Sequence, residues 1–267
     1  WYMIANSSPW DNLKFDKAGV TETARKLFST LYNTYSFFAL YANVDDFTID
    51  APSVPLDRRP EIDRWIISLL NTLIKEVDED LNDYEPTKAA RAINDFVNDN
   101  LSNWYVRLNR KRFWGGEMTE DKLSAYQTLY TCLKTISLLI APISPFFADK
   151  LYRDLSQNPE ESVHMASFPT ADENAIDAAL EERMHLAQEI TSMVLSLRRK
   201  VNIKVRQPLS TLMIPVVSQQ QKEAIASMSD LILSEVNVKE IKFVDNDGGM
   251  LCLLYTSPSP RDGATSR

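Results

Sequence analysis

Residues 103–116 read NWYVRLNRKRFWGG, placing four cations (Arg107, Arg110, Lys111 and Arg112) within six residues and ringing them with Trp104, Tyr105, Phe113 and Trp114. Two chemistries fit this grouping. Guanidinium and ammonium groups bond phosphate oxygens, and aromatic rings stack on unpaired bases, so the stretch could bind a looped nucleic acid. The same cations could instead complement the carbonyl end of a helix, at about 0.3–1 kcal/mol each. No acid lies between Asn100 and Gly116, and four cations exceed what a helix end uses. On these residues alone both readings stay open.

At about 100° per residue, Leu101 and Leu108 fall near Trp104, which assigns Trp104, with Tyr105, to the core. Arg107, Arg110 and Trp114 then flank that line, Arg112 takes the other flank, and Lys111 follows the last apolar residue. Phe113 and Trp114 are expected among the cations. A second basic stretch, RRKVNIKVRQPL (198–209), adds Arg198, Arg199, Lys200, Lys204 and Arg206, again with no acid. The chain as a whole carries a formal charge of −8. Two basic segments in an acidic protein favour an extended anionic ligand, with the acidic remainder suppressing contact with other polyanions.

The chemistry of a self-contained enzyme is missing. There is no glycine-rich phosphate loop and no nucleophile elbow, and the two histidines, His164 and His185, fall in a polar segment and beside a core position. Cys132 and Cys252 are too few for a zinc cluster and are expected as free thiols. No catalytic residue and no metal site is expected. No apolar run reaches the roughly 18 residues that span a bilayer; the densest, ISLLIAPISPFF (136–147), is broken by two prolines. The chain opens on Trp1-Tyr2-Met3-Ile4 without a charged leader, which reads as the interior of a longer protein.

The elements that would carry these residues are mostly helical. Val20, Ala24, Leu27, Leu31, Tyr35, Phe38 and Ala42 recur at helical spacing, as do Ile62, Trp65, Ile66, Leu69, Leu73 and Val77. A third helix is expected from Pro86, a tolerated first-turn proline, through Ile93, Val97, Leu101, Trp104 and Leu108 to the Gly115-Gly116 pair, which can cap it. A fourth runs over 118–141 behind a Thr119 cap, and a short fifth follows Pro145. Four long stripes with short loops predict a mainly α fold, an antiparallel helical bundle, followed by a small α+β unit. The boundaries expected are a leading segment 1–16, the bundle 17–156, a polar linker 157–175, and a helix plus α+β unit over 176–250. In that unit LSTLMIPV (209–216) and VKEIKFVD (238–245) read as strands, with one helix around 220–234. Residues 251–267 turn abruptly to Ser, Pro, Arg and Gly and read as a non-native or disordered tail, the alternative being an edge strand over 251–255 followed by a loose terminus.

In chain order, WYMIANSSPWDNLKFD (1–16), LFSTLYNTYSFFALYANVD (27–45), IDRWIISLLNTLI (62–74), NWYVRLNRKRFW (103–114), LLIAPISPFFADKLYRDL (138–155), SVHMASFP (162–169) and VNIKVRQPLSTLMIP (201–215) resemble the isoleucyl-tRNA synthetases of class Ia. The resemblance covers about residues 1–245. It implies that 1–16 closes the catalytic domain and that 17–156 is the anticodon-binding bundle. It also implies that Arg107, Arg110, Lys111, Arg112 and Trp114, with Arg198, Arg199, Lys200, Lys204 and Arg206, lie near the anticodon stem-loop of tRNA(Ile). The parent would be a cytoplasmic, monomeric ligase using ATP and magnesium, with neither DNA nor membrane as partner. Valyl-tRNA synthetases share the Trp-Tyr and Ala-Pro-x-x-Pro-Phe turns, but the basic run and KVRQPL favour the isoleucine enzymes. Outside the resemblance, a non-enzymatic helical scaffold with a basic docking end is the competing reading. Both family signatures that bind ATP are absent here, so the chain by itself should form no isoleucyl-adenylate. Isoleucine-dependent exchange of pyrophosphate into ATP above background would contradict this.

Overall fold

Asp16 starts the first long helix, its carboxylate accepting the amides of Ala18 at 3.1 Å and Gly19 at 3.0 Å, donors that a helix start otherwise leaves without partners. A computed structural model of the chain describes residues 1–13, 15–156, 160–245 and 252–254. They fall into two units, the first spanning Trp1–Asp177 and the second beginning at Ala178.

The first unit opens with α1 (Tyr2–Asn6). Helix α2 occupies 17–44 and contains a π-helical segment, Ala24–Ser29. It is followed by α3 (Glu61–Asn82) and by α4 over 86–113, which is π-helical at Phe96–Val106. Helices α5 (Glu120–Ile140) and α6 (Pro145–Leu155) complete the bundle. Pro86 sits in the first turn of α4 and Pro145 in that of α6. The Thr119 hydroxyl accepts the Lys122 amide to cap α5. Helix α4 ends at Phe113 on an extended Trp114, so Gly115 and Gly116, expected to cap it, lie just beyond that end, with φ of 54° and 81°. The core is built from Leu27, Leu31 and Phe38 of α2, Trp65, Ile66 and Leu70 of α3, Ile93, Val97 and Leu101 of α4, and Tyr126, Leu129 and Leu133 of α5, all buried. Val20, expected on this stripe, is exposed, because burial of α2 begins only at Leu27.

Residues 157–175, expected as a polar linker, are tied to the bundle at several of the described positions. Asp149 accepts the Ser162 hydroxyl (2.7 Å) and the Val163 amide (3.0 Å). Asn71 accepts the Asp172 amide (2.8 Å), and Ser68 accepts the Asp177 amide (2.7 Å). Polar side chains of the helices thus hold the segment at two of its amides despite its low hydrophobicity. The division accordingly falls after Asp177 rather than before 176.

In the second unit α7 (Ala178–Lys200) precedes β1 (Leu209–Val216), α8 (Gln219–Ser227), α9 (Ser229–Val236) and β2 (Val238–Asp245). Strands β1 and β2 pair in parallel from Leu209↔Val238 to Val216↔Asp245, an arrangement that requires a crossover connection. The single helix expected near 220–234 is two, α8 and α9, parted at Met228. The reading of 251–267 as a tail is corrected at Cys252–Leu254. This segment forms β3 and pairs antiparallel with β1 along the edge that β2 leaves open. The rest of that stretch lies outside the described residues.

One buried charge ties three helices of the bundle together. Asp63, in the first turn of α3, is wholly buried. Its Oδ1 accepts the Tyr105 hydroxyl at 2.8 Å and Arg112 Nη1 at 2.6 Å. Its Oδ2 accepts Arg112 Nη2 and the Ser124 hydroxyl, both at 2.9 Å. Arg112 also donates to Asn109 Oδ1 at 3.0 Å and, through Nε, to Asp121 Oδ2 at 3.0 Å. Burial works against the charged guanidinium, but the bonds and charge of Asp63 outweigh it and leave Arg112 more basic than usual. Burial and the adjacent carboxylate push the Tyr105 hydroxyl well above its ordinary value. Removing one partner of such a pair strands the other as an uncompensated buried charge. Arg112→Ala should therefore cost about 3–5 kcal/mol, whereas Arg110→Ala, two residues away, should stay within about 0.5 kcal/mol. Replacing Asp63 and Arg112 together by Leu and Met should recover much of the loss. Urea midpoints of the three variants check this, and equal effects of the two single arginine changes would contradict it.

Candidate nucleic-acid interface

The basic stretch lies where α4 ends. Its core line is Ile93, Val97, Leu101, Tyr105, Asn109 and Phe113, every one buried. Steps of four overshoot an α-helical turn by about 40° each, so no uniform α-helix keeps these six residues on one face. The π-helical segment Phe96–Val106 does so, because its i→i+5 bonds widen the turns. This shifts the phase expected for the residues that follow. Phe113, expected among the cations, is fully buried, with its ring 5.1 Å from Phe37 and 5.0 Å from Tyr126. Arg112, expected to contact nucleic acid, is committed to Asp63 and has only 15% of its side chain exposed. Both belong to the fold.

What remains outside is a smaller group. Arg107, Arg110 and Lys111 are exposed, and Trp114 is 53% exposed. Arg107 donates its Nε to the Asn103 carbonyl at 2.8 Å, and its guanidinium lies 5.7 Å from the Trp104 ring centroid. These contacts hold the guanidinium against the helix. Trp104 itself is buried, as is Tyr105, which agrees with their expected core role. Past the helix Trp114 takes an extended conformation, and the two left-handed glycines turn the chain toward α5.

Three acids at this end of the bundle are matched to other cations. Asp45 accepts Lys122 Nζ at 2.6 Å, Asp121 meets Arg112 at 2.9 Å, and Glu120 meets Arg58 at 2.5 Å. Burial pushes the Asp45 carboxyl up, but hydrogen bonds from Lys122 and Tyr126 outweigh it and hold Asp45 below the usual carboxylate range. Among the described residues no carboxylate pairs with the side chain of Arg110 or Lys111. The result is a positive surface beside an exposed indole, suited to phosphate and to an unpaired base. Among the described residues no group of His, Cys, Asp and Glu could hold a metal ion.

The second basic stretch ends α7. Asn202 is left-handed, with φ of 57°, its amide bonds the Arg199 carbonyl at 3.1 Å, and the Ile203 amide bonds the Arg198 carbonyl at 2.8 Å. This is a Schellman cap. Arg198, expected at the interface, is buried and donates to the carbonyls of Lys204 (3.2 Å), Gln207 (3.0 Å) and Asn237 (2.9 Å). It holds the loop instead of facing a ligand. Arg199, Lys200, Lys204 and Arg206 are exposed. Lys122, Asp45 and Asp63 escaped the sequence reading, because each sits in an acidic or mixed stretch with the composition of a solvated face.

The family described as the anticodon-binding domain of tRNA ligase matches residues 63–213, more than half of the chain, including both basic stretches. The chain is 67% identical over 251 residues to an isoleucine–tRNA ligase of Porphyromonas gingivalis, covering 94% of this chain and 22% of that protein. It is likewise 67% identical over 255 residues to an isoleucine–tRNA ligase of Bacteroides thetaiotaomicron, with the same two coverages. An isoleucine–tRNA ligase of Cytophaga hutchinsonii is 56% identical over 255 residues, covering 94% of this chain and 23% of that protein. The chain thus spans about a fifth of the length of the curated relatives it matches. With its helical bundle, its basic helix end and a family match running from α3 into β1, the chain belongs to the anticodon-binding domains of tRNA ligases.

Proposed function

We propose that this chain is the tRNA-recognition part of an isoleucine–tRNA ligase and that the end of α4 meets the anticodon stem-loop of tRNA(Ile). The observation that carries this is the pairing of exposed Arg107, Arg110 and Lys111 with exposed Trp114, in a chain whose formal charge is −8. The cations bond backbone phosphates and the indole takes a base splayed from the loop. Arg199, Lys200, Lys204 and Arg206 form a second set of phosphate contacts. The family match and the isoleucine ligases among its relatives support the reading and disfavour the valine alternative. The full-length ligase joins isoleucine to tRNA using ATP and magnesium, and the residues for those belong to the remainder of that protein. It works as a cytoplasmic monomer and takes neither DNA nor membrane as partner. No helix among the described residues is long and apolar enough to cross a membrane.

Binding of a tRNA(Ile) stem-loop measured across salt concentrations tests the interface. Neutralising Arg107, Arg110 or Lys111 should each shrink the slope of log affinity against log salt by about 0.7–0.9. Trp114→Ala should weaken binding about tenfold and leave the slope in place, as expected for one lost base stack. If heparin binds equally well and the three neutralisations leave the stem-loop affinity intact, the basic end is a docking surface or a helix cap, and the RNA reading is wrong.

A further inference from the structure

Lys122 is the unusual cation of this end of the bundle. It lies in the first turn of α5 yet is 3% exposed, although a lysine there would ordinarily reach solvent. Its ammonium sits 2.6 Å from Asp45 Oδ2 and donates to the Gly115 carbonyl at 3.3 Å. Asp45, just past α2, also accepts the Tyr126 hydroxyl, so Asp45 and Lys122 link the end of α2 to the start of α5. The Gly115 carbonyl belongs to the turn that carries Trp114. Around this turn the protein is otherwise open, since a Cβ at Gly115 or Gly116 would meet no heavy atom within 4 Å. Among the described residues, the bond from Lys122 is the only side-chain hydrogen bond that reaches 114–118. Two adjacent glycines with positive φ leave a turn broad conformational freedom, and a loosely held indole would lose ordering entropy on binding a base.

We propose that Lys122, fixed by Asp45, is a positioning residue that anchors the Gly115-Gly116 turn and so presents Trp114 as a preformed stacking platform. As a role in RNA binding this rests on the function proposed above, whereas the anchoring itself does not. A ligand with an unpaired base gains from the anchor, and one offering only phosphates does not. Lys122 therefore sets the preference for looped over fully paired RNA without touching the RNA.

The test uses an Asp45→Asn, Lys122→Met double variant, which removes both charges and strands neither. Trp114 mobility is read from fluorescence anisotropy decay as the difference from a matched Trp114→Phe background. The expected result is faster depolarisation of Trp114 and a loss of stem-loop affinity of about tenfold, the size of one stacked base. The salt slope should be that of the parent chain, and adding Trp114→Ala should weaken binding no further. A folded double variant with the parent's depolarisation and affinity would overturn the proposal, as would losses that multiply with Trp114→Ala. Should the double variant fail to fold, a glycine inserted between Trp114 and Gly115 keeps the ion pair and the bond to the Gly115 carbonyl and uncouples them from Trp114, and the same outcomes apply. If the parent chain does not prefer a stem-loop to a duplex, the RNA reading fails, and the depolarisation result alone decides whether Lys122 anchors the turn.

Discussion

A fully buried carboxylate must be compensated where it stands, and Asp63 imposes that requirement on one end of the bundle. Tyr105, Arg112 and Ser124 converge on it from α4 and α5. A buried pair of this kind is weak evidence for net stability, since apolar residues of similar volume often do as well. Its consequence here is geometric. By taking Arg112 inward it fixes the rotation of the last turns of α4, and that rotation decides which basic residues face solvent. Four cations close in sequence are thereby divided into one that holds the fold and three that are exposed.

The same division operates elsewhere. In the second basic stretch Arg198 is spent on three carbonyls, while Arg199, Lys200, Lys204 and Arg206 stay outside. Each stretch places one arginine inside to shape the helix end and leaves its neighbouring cations exposed. The guanidinium suits the interior task because its planar fork makes several directed bonds at once. The acids at the bundle end complete the arrangement. Asp45, Asp121 and Glu120 are each matched to a cation other than Arg110 or Lys111, so the positive surface survives in an acidic chain.

Much of the fold was legible because its signals are local. Pro86, Thr119 and Pro145 mark helix starts by their own local chemistry, and the strands at 209–216 and 238–245 announce themselves by composition. What was not legible depends on partners distant in sequence. The π-helical stretch of α4 follows from keeping Tyr105, Asn109 and Phe113 on the face begun by Ile93. A uniform 100° step could not place Phe113 inside. The inward turn of Arg112 needs Asp63, 49 positions earlier. The strap after α6 is held by Asn71 and Ser68, polar residues with no mark of that role in their own neighbourhood. Cys252–Leu254 reads either as tail or as edge strand, and the open edge of β1 decides between them. Of the candidate site, the region and its charge were readable, but the assignment of each cation to fold or surface was not.

The proposed interface requires the bundle end organised by Asp63 to face RNA. Photocrosslinking of a 4-thiouridine-substituted tRNA(Ile) stem-loop to the chain, with adducts mapped by mass spectrometry, tests it most directly. Adducts should concentrate in peptides spanning 107–118, with loop substitutions marking Trp114. Adducts confined to the opposite end of the bundle, around the α3–α4 turn at Tyr84, or none above a duplex control, would contradict it.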